Sequence, residues 1–201
     1  MALLAAVALL PTGTMPARAA TSEAVVGQPA PDYLGKDRHG NEIRASDFRG
    51  KVVVVTFWAS WCGYCLKELP ILANVQALAG VAQLQVVAIN DMEPRRIFVA
   101  IARRSAKSDI ILTHDADGAV GKPYGVDGIP HMVMIGRDGT IAYIHVGYGE
   151  DMLPRIANEL NRLLAMKPPP EGNAGVSRSD GSTGSRPAPA PAPAAGWPAS
   201  G

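Results

Sequence analysis

The sequence predicts an α/β domain with parallel and antiparallel strands in one sheet. Three observations carry this. Two apolar runs rich in β-branched residues, 51–58 and 84–90, are each followed by a segment of helical character. Two further runs, 131–135 and 140–146, flank the turn Gly136-Arg137-Asp138-Gly139 and read as a hairpin. Residues 152–166 then close the domain as an amphipathic helix. Strand, helix, strand, helix, hairpin and helix in that order describe a layered α/β architecture.

The elements follow in chain order. Residues 26–47 are rich in Gly and Pro, and Arg38-His39-Gly40-Asn41 marks a turn between two short strands, an N-terminal β extension. Residues 51–58 form a strand buried on both faces. Residues 62–78 form a helix with Leu66, Leu69, Leu72, Ala73 and Gln76 at near-helical spacing, and Pro70 inside it predicts a kink. After the second buried strand, a helix is expected from Asp91 or Met92 to about Ser105, with Pro94 in its first turn. The short run 110–112 reads as an edge strand, and 119–124 as a brief helix.

The chain has 201 residues, 47% of them hydrophobic, enough for one domain with a core and extensions. A net charge of +1, with both signs spread out, gives no footprint for nucleic acid. Residues 2–10 are apolar but too short to span a bilayer. They precede Ala17-Arg18-Ala19, a small-x-small pattern, so residues 1–20 read as a signal peptide cut after Ala19 or Ala20. No Lys or Arg precedes the apolar run. The expected location is periplasmic or otherwise extracytoplasmic. Residues 167–201 are rich in Pro, Ala, Gly and Ser without apolar period, and are expected to be a disordered tail. The folded domain is expected to span 25–166.

The chemistry resides in Trp61-Cys62-Gly63-Tyr64-Cys65, which holds both of the chain's cysteines. A C-x-x-C pair delivered by a strand to a helix N-terminus brings two sulfurs within disulfide range. The unpaired N–H groups there stabilise a thiolate. Cys62, nearer the helix start, is therefore the expected nucleophile, and Cys65, one turn in, resolves the mixed disulfide. A structural zinc site would need further ligands at suitable spacing, and His39, His114, His131 and His145 are scattered singly. An inert staple is disfavoured because so small a loop removes little entropy from the unfolded chain.

Phe57-Trp58-Ala59-Ser60-Trp61-Cys62-Gly63-Tyr64-Cys65, Pro70, and Ile129-Pro130 before the hairpin together resemble the thioredoxin superfamily. Val26-Gly27-Gln28-Pro29-Ala30-Pro31-Asp32, the lead-in Asp47-Phe48-Arg49-Gly50-Lys51-Val52, and Cys65-Leu66-Lys67-Glu68-Leu69-Pro70 resemble its TlpA/ResA-like exported branch. The resemblance covers about residues 25–165. It implies a thioredoxin fold, a central mixed β-sheet flanked by helices. It also implies a redox-active Cys62–Cys65 disulfide and a cis Pro130 facing it. A cis proline there frees the backbone of Ile129 to pair with a substrate strand. Thioredoxins carry an acid six residues before the first cysteine; here Thr56 stands there, and the branch resemblance suggests Glu68 as the replacement proton acceptor. Tyr64 replaces the thioredoxin proline and predicts a less reducing dithiol.

The resulting expectation is an exported protein disulfide oxidoreductase with catalytic Cys62, Cys65 and Glu68. Trp61, Tyr64, Ile129 and Pro130 are the expected substrate-binding surface. The branch implies reduction of particular partner proteins, in cytochrome c maturation or copper-site assembly, with electrons from a membrane-bound thiol reductant. A monomer without resident cofactor or metal is expected. A general disulfide oxidant is the alternative within the same chemistry. Copper delivery is the alternative outside it, since His131, Met132 and Met134 lie beside the proline loop. Strand alternation puts the two methionines on one face and His131 on the other, which favours core packing. A peroxiredoxin would need Ser or Thr three residues before the cysteine, where this chain has Ala59.

Overall fold

The computed structural model describes residues 23–105 and 108–168. The expected leader at 1–20 and nearly all of the expected tail at 167–201 lie outside them. Strands β1 (Tyr33–Lys36) and β2 (Glu42–Arg44) form the N-terminal hairpin. Then come β3 (Val52–Trp58), α1 (Gly63–Ala79), β4 (Leu84–Asp91), α2 (Arg95–Arg104) and β5 (Ile111–Asp115). The hairpin strands β6 (His131–Ile135) and β7 (Ile141–Val146) precede α3 (Leu153–Ala165). Short 3-10 turns lie at Ala45–Phe48, Lys122–Tyr124 and Glu150–Met152.

Among the described residues the strands form one seven-stranded sheet in the order β2-β1-β5-β4-β3-β6-β7. β3 pairs parallel with β4 and antiparallel with β6. Every residue of β3 is buried. Its side chains alternate between two cores, as the pleat requires. Val52, Val54 and Trp58 join Leu69 and Leu72 of α1 and Leu160 and Leu163 of α3. Val53, Val55 and Phe57 face the other way, onto Leu34, Val120 and Tyr124. The polar member of the strand, Thr56, has the parity of Val54 and Trp58 and therefore faces α1.

Three local expectations are corrected. The strand at 110–112 was expected at an edge, but β5 runs Ile111–Asp115 and is an inner strand between β4 and β1. The N-terminal hairpin covers it: Lys36 pairs with His114, and Thr113 Oγ1 donates to the Leu34 carbonyl at 2.5 Å. That pairing joins segments distant in sequence, so no local pattern announces it. The helix expected from Asp91 or Met92 begins at Arg95 instead. Asp91 extends β4, Met92 takes a left-handed φ of 50°, and Pro94 becomes the N-cap. The helix expected at 119–124 is reduced to the 3-10 turn Lys122–Tyr124.

The β6–β7 turn holds more than a turn residue. Arg137 is 7% exposed and donates to Gly50 O at 2.9 Å, Gln83 Oε1 at 2.7 Å and Leu164 O at 2.9 Å. It thus ties the start of β3 to the end of α3, whose terminal carbonyls favour a cation. Arg137→Ala is expected to cost about 3 kcal/mol, because buried acceptors lose a charged donor. Urea denaturation checks this, and a cost under about 1 kcal/mol would show that water replaces the guanidinium.

Candidate active site

Strand β3 ends at Trp58, and a tight turn carries the chain from Ala59 to Cys62, closed by Cys62 N–H donating to Ala59 O at 3.1 Å. Cys62 is the N-cap of α1. The Cys65 N–H, an orphan donor of the first helical turn, points at Cys62 Sγ at 3.1 Å. The two cysteines form a disulfide with S–S 2.06 Å. Cys65 is fully buried, whereas Cys62 retains 7% exposure. Ile129–Pro130 is cis, and the Ile129 carbonyl oxygen lies 3.9 Å from Cys62 Sγ. Trp61 and Tyr64 stand 72% and 60% exposed on either side of Cys62 in sequence. Tyr64 also meets Tyr148 at a ring-centroid distance of 6.1 Å.

Beneath the dithiol, Glu68 is 4% exposed and accepts a hydrogen bond from Thr56 Oγ1 at 2.7 Å. Burial disfavours its charged form and pushes its pKa from the usual 4.5 to about 7, only partly opposed by the Thr56 hydroxyl. The position that carries an acid in thioredoxins therefore holds a donor that binds the acid one helix away. Glu68 also lines an apolar cavity of about 420 Å³ between α1, β6 and α3, with Leu72, Met132, Met134 and Leu160 among its walls. A buried carboxyl that titrates near neutrality can take or give a proton at the pH where thiols exchange.

The sequence-predicted residues thus meet at one end of the sheet: Cys62 and Cys65 at the start of α1, Ile129 and Pro130 opposite, and Glu68 one turn further along the helix. His131 does not join them. It lies on the other face of β6, its ring edge-on to Phe57 at 6.1 Å, while Met132 and Met134 pack in the core containing the cysteines. Burial lowers the His131 pKa, opposed in part by Asp127, and so favours its neutral form. His131 therefore does not converge with the sulfur ligands Met132, Met134 and the two cysteines, which lie on the other face. Sequence reasoning missed Glu93. It was read as part of a helix start, yet it is 6% exposed and binds Ser60 in the turn before Cys62. The sequence signal was one of two acids, Asp91 and Glu93, after a buried strand, which is too common to single out.

The profile of the Redoxin family matches residues 25–160. The chain belongs to the Redoxin family. It is 31% identical over 122 residues to the thiol-disulfide oxidoreductase ResA of Geobacillus thermodenitrificans, covering 61% of this chain and 70% of that one. It is 29% identical over 139 residues to the thiol:disulfide interchange protein DsbE of Escherichia coli, covering 68% and 71%. Among solved structures, a Chlorobium tepidum protein described as a thiol:disulfide interchange protein DsbE superposes with a TM-score of 0.63 at 28% identity, over 71% of this chain and 100% of that one. This Redoxin-family chain has the thioredoxin-like fold and is a disulfide oxidoreductase acting on protein thiols.

Glu68 makes stability depend on pH in a definite sense. Between about pH 4.5 and 7 the folded protein holds a proton on Glu68 that the unfolded chain has released, so this group's contribution falls as pH rises through that window. The full penalty above the window is on the order of 3 kcal/mol. His131 acts oppositely: its depressed pKa makes stability rise with pH up to the unfolded value near 6.5. Comparing Glu68→Gln with the unaltered oxidised protein at each pH isolates the first effect. The variant is expected to gain relative stability from pH 5 to pH 8 in urea titrations. Equal differences at both pH values would place the Glu68 pKa at its ordinary value.

Proposed function

We propose that this is an extracytoplasmic thiol–disulfide oxidoreductase that reduces disulfides of particular partner proteins through Cys62 and Cys65. In the reduced protein the Cys62 thiolate attacks a substrate disulfide sulfur. A mixed disulfide forms and one substrate thiolate leaves. Glu68 accepts the proton of Cys65, whose thiolate attacks Cys62 Sγ and releases the second substrate thiolate. The substrate gains two electrons, and the protein is left as the Cys62–Cys65 disulfide. A membrane-bound thiol reductant restores the dithiol.

The observation that carries the reading is the asymmetry of the pair. Cys62 Sγ receives a helix N-terminal N–H at 3.1 Å and keeps some exposure, while Cys65, one turn before Glu68 on α1, is fully buried. A helix N-terminus favours the thiolate of Cys62 over that of Cys65. Trp61, Tyr64, Ile129 and cis-Pro130 form the surface that receives the substrate segment in this reading, with the backbone of Ile129 pairing with it. The domain responsible spans 25–166, works as a monomer and needs no resident cofactor. The preceding residues 1–20 direct export. Proteins of cytochrome c maturation or copper-site assembly are the substrates this reading favours.

Three measurements test it. In Cys65→Ser the mixed disulfide is expected to accumulate with partner protein, and in Cys62→Ser it is not; trapping by Cys62→Ser instead would reverse the roles. Iodoacetamide is expected to label Cys62 faster than Cys65 in the reduced protein near pH 7, and equal slow labelling of both would remove the activated thiolate. The reduction potential is expected well below the roughly −120 mV of a strong oxidant. A value there would make the protein a disulfide donor.

A further inference from the structure

The loop between β4 and α2 has a conformation that needs a cause. Met92 is 66% exposed and holds a φ of 50°, where a side-chain-bearing residue is disfavoured by about 1 kcal/mol. Its N–H donates to Asp115 O at 2.8 Å, and the next residue, Glu93, turns inward. The Glu93 carboxylate accepts from Ser60 N–H at 2.7 Å, from Ser60 Oγ at 2.6 Å and from Asn90 Nδ2 at 2.6 Å. At its other end, His114 Nε2 lies 2.7 Å from the Glu93 carbonyl oxygen, and the His114 ring stacks on Phe98 at 5.0 Å. Glu93 is thus gripped by β4, β5 and the turn before the dithiol.

Ser60 is the second residue of the four-residue turn that Cys62 closes onto Ala59. Both of its hydrogen-bond donors go to one carboxylate, which fixes the turn in position and orientation. The third residue is the exposed Trp61, and the fourth is Cys62. Holding Ser60 therefore sets where the tryptophan stands and how Cys62 Sγ meets the N–H of Cys65. We propose that Glu93 is a positioning residue for the dithiol: through Ser60 it aims the Cys62 sulfur at the first helical amides and presents Trp61 to the substrate. The strained Met92 conformation is what brings the carboxylate within reach.

This inference rests on Cys62 being the attacking thiol. The test uses Glu93→Asp, which keeps the charge but withdraws the oxygens from Ser60 by one methylene. The pH profile of Cys62 alkylation is expected to move to higher pH as the sulfur loses its alignment with the helix amides. The kcat/KM for a protein disulfide is expected to fall roughly tenfold per folded molecule, since small misplacements at a reacting atom are costly. Ser60→Ala alone is expected to shift the profile in the same direction and reduce kcat/KM roughly threefold. Added to Glu93→Asp, it is expected to contribute nothing more.

A lowered melting temperature with an unshifted profile and unchanged kcat/KM would make Glu93 merely structural and overturn the proposal. Additive effects of the two substitutions would overturn it as well. Should Glu93→Asp fail to fold, an unshifted profile in Ser60→Ala decides against it. Alkylation of the two single-cysteine forms of the otherwise unaltered protein comes first. A faster Cys65 there would sink the assignment of Cys62 as nucleophile and this inference with it, whereas an unshifted Glu93→Asp profile sinks only the latter.

Discussion

Burying β3 on both faces is the constraint on which the rest of the molecule depends. A strand flanked by β4 and β6, with a core above and below, has no freedom to slip, because a one-residue shift would exchange its two sets of side chains. Its C-terminal end is therefore a fixed point. The turn after Trp58 and the first turn of α1 start from that point, and the C-x-x-C pair occupies it. The cis-Pro130 loop enters the same region because β6 pairs with β3 from the other side, with Phe57 opposite His131. Rigidity of the strand becomes alignment of the sulfurs.

The same parity explains the polar core. Thr56 shares a face with Val54 and Trp58, so its hydroxyl is delivered to α1 rather than to the N-terminal hairpin. Glu68 meets it from a buried position on that helix. A carboxyl with one neutral donor and little water has no strong reason to ionise, and it therefore titrates near neutrality. Burying it reduces stability above neutral pH, a cost the chain tolerates on the helix that the two cysteines open. Gln76 answers its own burial differently: as an uncharged amide it accepts from Val86 N–H at 2.5 Å and joins α1 to the sheet.

Around the dithiol the supporting polar groups come from several elements. Glu93 approaches from the loop after β4, Asn90 from the end of β4, and Thr56 and Glu68 from β3 and α1. On the same face of the sheet, toward its β7 edge, His145 of β7 pairs with Glu159 of α3 at 2.6 Å, and Arg155 supports that carboxylate at 2.9 Å. The His145–Glu159 contact holds α3 against the sheet, and α3 forms one wall of the apolar cavity beside Glu68.

The sequence by itself determined the buried strands, the helix that the cysteines open, and the two cysteines that form the disulfide. Periodicity and adjacency are local properties, and Val52 to Trp58 followed by Cys62 and Cys65 expresses both within a few residues. It also separated Met132 and Met134 from His131, because alternation along a strand is local as well. Only the tertiary structure decided that β5 is an inner strand, that Arg137 leaves its turn to hold α3, and that Glu93 leaves its expected helix to hold Ser60. Each of those contacts joins residues far apart in the chain. What fixes them is a buried acceptor or donor needing a partner, and no pattern within one segment records where that partner will be.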